Sequence, residues 1–299
     1  MNWEQEISAF KNYLKLERGL SDNSIHAYVT DLYKLVQFLK DQGDELSPDS
    51  VTLQHLKDLM GSINNRGISP RTQARIISGI KSFYKFLLIE EKIDRDPTAL
   101  LEAPKVGRKL PEILSVEEID TIINSIDIKK PEGQRNKAIL ETLYSCGLRV
   151  SELIDLKISN LFFESGFIKV EGKGSKERLV PISNKAIKEI NLYLSEYRRI
   201  LNIHPEHEDV LFLNRRGKKL SRVMIFTIIK NIARELNLEK NISPHTFRHS
   251  FATHLIDGGA NLRAVQEMLG HESIITTEIY THLDKEYLKD TIIHYHPRS

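Results

Sequence analysis

The last third of the chain constrains the fold most, because it contains two short helices whose start and stop signals are all present. Ser243 followed by Pro244 is typical of a helix start, since serine can cap the free N–H groups and proline has no N–H to leave unpaired. The glycine pair at 258–259 ends this helix. The next helix begins at a capping residue, Asn261, and ends at Gly270, where glycine favours a left-handed conformation. The segment therefore predicts a helix pair that fixes the polar residues around it.

Histidine, arginine and tyrosine side chains cluster in this segment. His245, Arg248 and His249 lie at positions i, i+3 and i+4, so they share one face of the first helix. His271 follows the second helix directly, and Tyr280 comes nine residues later. A guanidinium group matches phosphate oxygens, a histidine can donate to phosphate or accept a proton, and a tyrosine hydroxyl can act as a nucleophile. This combination suggests attack of a phenolic oxygen on a phosphodiester.

Four motifs extend this pattern over the second half of the chain. In chain order they are C-G-L-R-V-S-E-L with Arg149, G-K-G-S-K-E-R-L-V-P-I with Lys173, H-T-F-R-H with His245 and Arg248, and L-G-H-E-S-I-I-T-T-E-I-Y with His271 and Tyr280. Together they resemble the signature of the tyrosine recombinases, the phage integrase family. The similarity extends over nearly the whole chain and is greatest to the Xer subfamily.

The resemblance implies a role for each of these six residues. They are the nucleophile Tyr280, the phosphate-binding arginines Arg149 and Arg248, the proton acceptor His245, the phosphate donor His271 and the general acid Lys173. The implied reaction is a type IB strand transfer, in which the tyrosine attacks the scissile phosphate, forms a 3′-phosphotyrosyl bond and frees a 5′-hydroxyl. Since two arginines can stabilise the charge of the transition state, the resemblance implies no cofactor and no metal.

The same resemblance implies a biological task and a set of partners. We expect the chain to cut and rejoin double-stranded DNA at a dif-like site and so to resolve chromosome dimers. It would act in a tetramer on two duplexes, together with a second Xer-type recombinase. A DNA translocase of the FtsK type is a further expected partner.

Other functions stay open at this point. They are a mobile-element integrase, a monomeric type IB topoisomerase, and a DNA-binding accessory protein that kept the fold and lost the chemistry. All six family positions hold the expected residue types, which argues against the inactive protein. The small N-terminal domain, which carries no extra arm-binding module, and the Xer-like tail favour a resolvase.

A zinc site is the alternative interpretation of His245, His249 and His254. Zinc enzymes show three ligands at fixed spacing, and the H-E-x-x-H pattern does not occur in this chain. Arg248 lies between two of these histidines and would repel a cation. We therefore expect no metal there and interpret His249 and His254 as packing residues.

The apolar pattern divides the chain into a helical part and a mixed part. Four stripes at helical spacing predict an all-helical, core-type DNA-binding domain over residues 1–103, followed by a basic, proline-containing linker over 104–114. The capping box of Ser115 and Glu118 opens a catalytic domain with a C-terminal tail over 115–299. The expected fold class is mainly α with a small antiparallel β-sheet, an α+β tyrosine-recombinase catalytic domain following the helical one.

Two hairpins are expected in the second domain. Phe167–Val170 and Arg178–Ile182 predict strands on either side of a turn that carries Lys173. Leu211–Leu220 predicts a second hairpin, whose basic tip N-R-R-G-K-K favours contact with backbone phosphate. On the N-terminal helices, basic side chains are either solvated or bound to phosphate, and the resemblance favours phosphate; these are Lys34, Arg71, Arg75, Lys81 and Lys85.

Composition sets only broad limits. The net charge of +2 and the pI near 8.4 give weak support for nucleic acid, since a basic face can be hidden in a balanced total. The single cysteine, Cys146, excludes an internal disulfide and suits a reducing compartment. The polar start and the lack of an apolar run of ~18 residues predict a cytoplasmic protein that does not contact a membrane.

The C-terminal tail predicts one more amphipathic helix. Its apolar residues are Leu283, Tyr287, Leu288, Ile292 and Ile293. Such a stripe must be buried somewhere, either on its own domain or, as the Xer resemblance implies, on a neighbouring protomer in a ring. Both arrangements remain open from sequence.

Overall fold

The computed structural model describes residues 1–43, 46–105, 107, 112–172, 176–270 and 282–298, with the backbone alone for 282–286. The chain forms two compact units, Met1–Lys109 and Leu110–Ser299. The predicted linker at 104–114 lies only partly within the described residues, so its boundaries remain a prediction. Searched over the described residues, the structure has no helix that is both long and apolar enough to span a membrane.

The N-terminal unit consists of four amphipathic helices. They are α1 (Trp3–Leu16), α2 (Asp22–Asp41), α3 (Leu53–Asn65) and α4 (Pro70–Ile89). Ser21 and Ser69 cap α2 and α4 by accepting a backbone N–H, as the sequence indicates. Each predicted stripe supplies residues to one apolar core, in which Phe10 and Phe83 pack edge to face at 5.4 Å between ring centroids.

The helices α2 and α4 are joined by a buried ion pair. The Asp31 side chain is fully buried, and it accepts hydrogen bonds from Arg75 Nη1 at 2.5 Å and Lys34 Nζ at 3.0 Å. The two cations stay partly exposed. A carboxylate inside the unit therefore fixes two of the basic side chains that the sequence assigns to its polar face.

The C-terminal unit is mainly helical with one small sheet. Its helices are α5 (Val116–Asn124), α6 (Gly133–Cys146), α7 (Val150–Ile154), α8 (Asn184–Leu192), α9 (Arg222–Glu235), α10 (Pro244–Asp257), α11 (Leu262–Leu269) and α12 (His282–Tyr295). Strands β1 (Leu161–Phe162), β2 (Phe167–Glu171) and β3 (Glu177–Pro181) form an antiparallel sheet in the order β1-β2-β3. The predicted fold class is confirmed.

Helix α6 forms the centre of this unit. Nearly all of its side chains are buried, and it packs against α5, α8 and α10. It ends at Gly147, whose φ of +57° lies in the left-handed region. A Cβ at this position would come within 2.4 Å of the Phe251 ring on α10, so glycine is required both for the turn and for the helix contact.

The second predicted hairpin is realised only as a tight turn. Leu213 and Lys219 form an isolated bridge, and Asn214 N–H donates to the Lys218 carbonyl at 2.8 Å. Leu211, Phe212 and Leu213 are all buried, so this segment does not alternate between a buried and an exposed face as a surface strand does. Ser221 then caps α9, which leaves no room for a returning strand. Arg215 and Arg216 remain exposed at the turn.

The C-terminal tail packs on its own unit. Helix α12 lies against α10, α11 and β3, with Leu288 and Ile292 each 2% exposed, whereas Tyr287 and Ile293 stay in contact with solvent. Beyond the helix, the His296 ring contacts the Tyr144 ring at an interplanar angle of 50°, and Arg298 forms ion pairs with Glu141 and Asp120. Of the two arrangements considered from sequence, the single chain therefore has the one in which the tail docks in cis.

Candidate active site

Arg149 occupies the short connection between α6 and α7. It is the residue that precedes α7, and its backbone N–H donates to Glu152 Oε2 at 2.8 Å. Its guanidinium donates to Glu152 Oε1 at 2.8 Å and to the Gly270 carbonyl at 3.0 Å. The side chain remains 36% exposed. Arg149 is thus held by the protein on one side and open to a ligand on the other.

Glu152 is a buried carboxylate shared by two arginines. It is 3% exposed, and it accepts hydrogen bonds from Arg149 and, at 2.8 and 3.0 Å, from Arg178 Nη1 and Nη2. Burial opposes its ionisation, but the hydrogen bonds and charges of Arg178 and Arg149 outweigh burial and lower the pKa of Glu152 below its ordinary value. The carboxylate is therefore ionised at neutral pH and orients both guanidinium groups.

Arg248 lies inside α10 and is 8% exposed. Its Nη1 donates to the Gly147 carbonyl at 2.7 Å, and its Nη2 donates to the Leu269 carbonyl at 2.6 Å. Burial and the charge of Arg149 lower the pKa of Arg248 to about 10, so the side chain is still a cation at neutral pH. Two carbonyls fix its planar fork, and its position relative to Gly147 depends on the close contact of α6 with α10.

Three arginines meet at the C-terminal end of α11. Arg178 Nε donates to the Met268 carbonyl at 2.9 Å, Arg248 to that of Leu269 and Arg149 to that of Gly270. Unpaired carbonyls at a helix C-terminus carry partial negative charge and attract cations. Gly270 has a φ of +63°, and a Cβ there would lie 3.1 Å from the Arg178 guanidinium. The helix end thus collects positive charge directly before His271.

His245 and His249 differ from Arg248 in their surroundings. Both histidines are exposed on α10, although they share the helix face expected from sequence. Partial burial and the neighbouring charges of His249, Arg248 and Arg149 lower the pKa of His245 below its ordinary value of 6.5. His245 is therefore neutral at physiological pH and able to accept a proton. The interpretation of His249 as a packing residue is wrong, because its side chain is exposed.

His254 is one of the three histidines that the sequence analysis considered as zinc ligands. His254 Nδ1 lies 2.7 Å from the Tyr144 hydroxyl and is used in that hydrogen bond. His254 therefore acts as a packing residue between α10 and α6, as the sequence predicts. Arg248, between His245 and His249, points into the unit and adds positive charge beside both.

The remaining predicted site residues, Lys173, His271 and Tyr280, lie outside the described residues. Each of them is close in the sequence to residues that the structure describes. Gly172 N–H donates to the Lys176 carbonyl at 2.8 Å, and Lys173 lies between these two residues in the sequence. Gly270 precedes His271, and α12 begins two residues after Tyr280.

Two residues of this arrangement were not predicted from the sequence. Glu152 and Arg178 are charged and buried, and neither was assigned a role. A signal for Glu152 exists, since an acid three residues after Arg149 is the spacing of a capping box, which the structure forms. Arg178 lies two residues before the buried Val180 on the same face of β3, so its position facing the core is consistent with the two-residue period of a strand.

Comparison with known proteins follows the same division of the chain. Residues 112–287 match the model described as the phage integrase family, and residues 7–91 match the phage integrase N-terminal SAM-like domain. The chain is 44% identical to the tyrosine recombinase XerD of Oceanobacillus iheyensis, over 99% of both chains. It is 43% identical to the tyrosine recombinase XerD of Chlorobaculum tepidum, over 99% of this chain and 98% of that one.

A similar solved structure agrees with the fold. The XerH site-specific recombinase bound to difH substrate, in a pre-cleavage complex, superimposes with a TM-score of 0.67. That match covers 89% of this chain and 79% of the other at 23% identity, so it supports the fold alone.

Proposed function

Because the chain belongs to the phage integrase family of tyrosine recombinases, we propose that it is a site-specific DNA recombinase that resolves chromosome dimers at a dif-like site. Relatives named XerD match it from end to end, which supports an Xer-type recombinase of the XerD branch over a mobile-element integrase. The proposed substrate is duplex DNA. The proposed partners are a second Xer-type recombinase in a tetramer and a DNA translocase of the FtsK type.

The proposed reaction is a type IB strand transfer. The phenolic oxygen of Tyr280 attacks the scissile phosphorus and forms a 3′-phosphotyrosyl bond, while the bond to the 5′-oxygen breaks. The tyrosine proton passes to His245, and Lys173 protonates the leaving 5′-oxygen. A 5′-hydroxyl from the second duplex then attacks the phosphotyrosine and restores the phosphodiester.

The observation that carries this proposal is the charge cluster at the end of α11. Arg149 and Arg248 are held by carbonyls and by Glu152, so groups of the protein itself orient both guanidinium groups. Donors that are already oriented do not have to reorganise when charge develops on the phosphate oxygens. Two fixed guanidinium groups of this kind suit a pentacoordinate phosphate. His271, next to Gly270, would add a further donor.

The neutral state of His245 supports its part in the reaction. A protonated histidine could not accept the tyrosine proton, and the lowered pKa of His245 keeps the ring deprotonated at neutral pH. The same positive surroundings would favour the phenolate over the phenol at a nearby tyrosine, because opposite charges stabilise each other. One cluster of cations therefore assists the base, the nucleophile and the phosphate.

The proposal is tested with a nicked suicide duplex that contains a candidate dif-like site. Cleavage beside the nick releases a short oligonucleotide, so the covalent protein–DNA adduct cannot be religated and accumulates on a denaturing gel. We expect an adduct with the wild-type chain and none with Tyr280→Phe, which should still shift the same duplex in a native gel. An adduct that persists in Tyr280→Phe would show that another residue is the nucleophile. No adduct with wild type on any dif-like duplex that it binds would support the inactive accessory protein.

A further inference from the structure

Outside the proposed active site, His204, Glu206 and His207 lie together in a short turn between α8 and α9. Pro205–His207 forms one turn of 3₁₀-helix, in which side chains three residues apart lie on the same side. The imidazole rings of His204 and His207 accordingly lie close together, with 5.6 Å between centroids and an interplanar angle of 42°. One nitrogen of each ring and one Glu206 oxygen all lie within 4.8 Å of one another.

The polar atoms of this group do not satisfy one another. His204 Nδ1 is buried, and no atom of the described residues forms a hydrogen bond with it. Its nearest charged neighbour is Glu206 Oε2 at 3.9 Å, which is too long for a hydrogen bond. In a tetrahedral zinc site with bonds of about 2.1 Å, two ligand atoms are roughly 3.4 Å apart. The observed spacing therefore suits two ligands of one cation better than a direct contact.

The backbone of the turn is fixed on both sides. His204 N–H donates to the Gly217 carbonyl at 3.1 Å, and His207 N–H donates to the His204 carbonyl at 2.8 Å. Val210 N–H donates to the His207 carbonyl at 3.1 Å, and Pro205 restricts its own φ. Only side-chain rotations are thus needed to bring the three ligand atoms onto one ion, which keeps the entropic cost of binding low.

We propose that His204, Glu206 and His207 form a binding site for a divalent transition-metal ion such as Zn²⁺. Imidazole nitrogens favour zinc, nickel and copper over magnesium or calcium, and a single carboxylate completes a three-ligand set. Water would occupy the remaining positions, because Glu206 is 80% exposed at its side chain. None of the three residues belongs to the proposed phosphoryl-transfer machinery, so the site is independent of the proposed function.

Metal binding would also tie the basic turn to the rest of the unit. The Gly217 carbonyl that accepts from His204 belongs to the turn that presents Arg215 and Arg216 to solvent. A metal that joins His204 to His207 would hold this acceptor in place. We therefore expect bound metal to raise the melting temperature of the full chain and to slow hydrogen exchange of the backbone amides at 214–218.

The test uses the full chain, purified without a histidine tag and stripped with chelator. Co²⁺ is titrated while the visible absorption of the ion is followed, and Zn²⁺ is titrated by calorimetry. We expect one equivalent to bind with a dissociation constant in the micromolar range. Loss of an outer-shell partner alone weakens metal sites about ten- to a hundredfold. Since His204→Gln and His207→Gln each remove a ligand, each should weaken binding by at least about tenfold.

Two further variants distinguish specific metal binding at this site from an effect on folding and from nonspecific binding to surface histidines. Glu206→Gln changes an exposed side chain, so it should weaken binding and abolish the metal-induced rise in melting temperature without altering the metal-free fold. His26→Gln removes an exposed histidine of α2 and should leave the affinity unchanged. The proposal is overturned if wild type binds no Co²⁺ or Zn²⁺ at millimolar concentration. It is equally overturned if the variants at 204, 206 and 207 all bind as wild type does.

Discussion

Glu152 is a single carboxylate on which two arginines depend. Its two oxygens fix Arg149, which is open to solvent, and Arg178, which is buried and reaches the end of α11. A buried carboxylate next to two guanidinium groups is stabilising only while both partners remain, since a charge left unpaired in the interior is costly. The orientation of Arg149, which we propose binds phosphate, is thus determined by a residue that has no phosphate-binding role in the proposal.

Two replacements of Arg149 should distinguish how much its positive charge and how much its planar shape contribute to the rate of DNA cleavage. Arg149→Ala should raise the barrier to DNA cleavage by about 2–4 kcal/mol, the loss expected for one preorganised donor. Arg149→Lys keeps the charge but cannot contact Glu152 and the Gly270 carbonyl with one planar fork, so it should recover only part of the rate. Single-turnover cleavage of the suicide duplex measures both. A rate for Arg149→Ala within a few-fold of wild type would remove this residue from the proposed site.

The lowered pKa of His245 predicts the pH dependence of cleavage. Because the neutral ring is the form that accepts a proton, the rate constant should be on a plateau at pH 7 and above. It should decrease only below pH 6.5, as the ring becomes protonated. His245→Gln should lower the plateau and remove this acidic limb. A rate constant that already falls between pH 8 and pH 7 in the wild-type enzyme would contradict the assignment.

Among the elements, helix boundaries could be predicted from sequence far better than the charge network. Gly147 and Gly270 act through their own backbone conformation, and Ser243 and Asn261 act through side-chain hydrogen bonds to nearby backbone N–H groups. Their effects can therefore be predicted from local sequence, and the structure confirms each of them. The contacts of Glu152 with Arg178 join residues far apart in the chain, and no local pattern specifies them. The second hairpin is shorter than predicted for a related reason, because burial of Leu211 to Leu213 depends on the surrounding helices.

The ion pair between α2 and α4 yields a prediction about DNA binding in the N-terminal unit. If Asp31 orients Arg75 and Lys34 towards phosphate, Asp31→Asn should weaken binding, although it removes a negative charge. Simple charge repulsion predicts the opposite sign, since fewer negative charges should tighten binding to a polyanion. Fluorescence anisotropy over a range of salt concentrations measures the affinity and the number of phosphate contacts.

Glu6 provides a matched control for this experiment. Its carboxylate is mostly buried and pairs with Lys92 Nζ at 2.7 Å within the same unit. Glu6→Gln therefore removes a comparable ion pair that involves neither Arg75 nor Lys34, and we expect it to leave DNA affinity near the wild-type value. If Asp31→Asn binds DNA more tightly than wild type, the orienting role is wrong, and Asp31 serves only to join the helices.

For the molecule as a whole, docking of the tail in cis depends on buried charge as well as on apolar contact. Arg298 is 3% exposed and pairs with Glu141, which is also 3% exposed. Burial raises the pKa of Glu141 in spite of this partner. An exchange of the tail between protomers, as the Xer resemblance implies, would first have to break this pair together with the burial of Leu288 and Ile292.

Removal of Arg298 should destabilise the docked tail strongly. Arg298→Ala leaves Glu141 buried without its partner, which typically costs about 3–5 kcal/mol. The double variant Arg298→Met with Glu141→Gln removes both charges and should recover much of that loss, because neither position then carries an unpaired charge. Limited proteolysis of the tail and thermal melting of the full chain measure the effect. Equal protease sensitivity of Arg298→Ala and wild type would show that the pair does not anchor the tail.

The docked tail also connects the proposed nucleophile, through a short length of chain, to a helix packed on the same unit. Tyr280 lies ten residues after Gly270, whose carbonyl is held by Arg149, and two residues before α12, which is anchored in the core. Two residues of chain reach at most about 7 Å, so chain length alone sets an upper limit on the distance between the proposed nucleophile and the first residue of α12. Short tethers of this kind produce effective concentrations in the millimolar range. Release of α12 would leave every group of the proposed site intact and would still lower the effective concentration of the proposed nucleophile around the scissile phosphate.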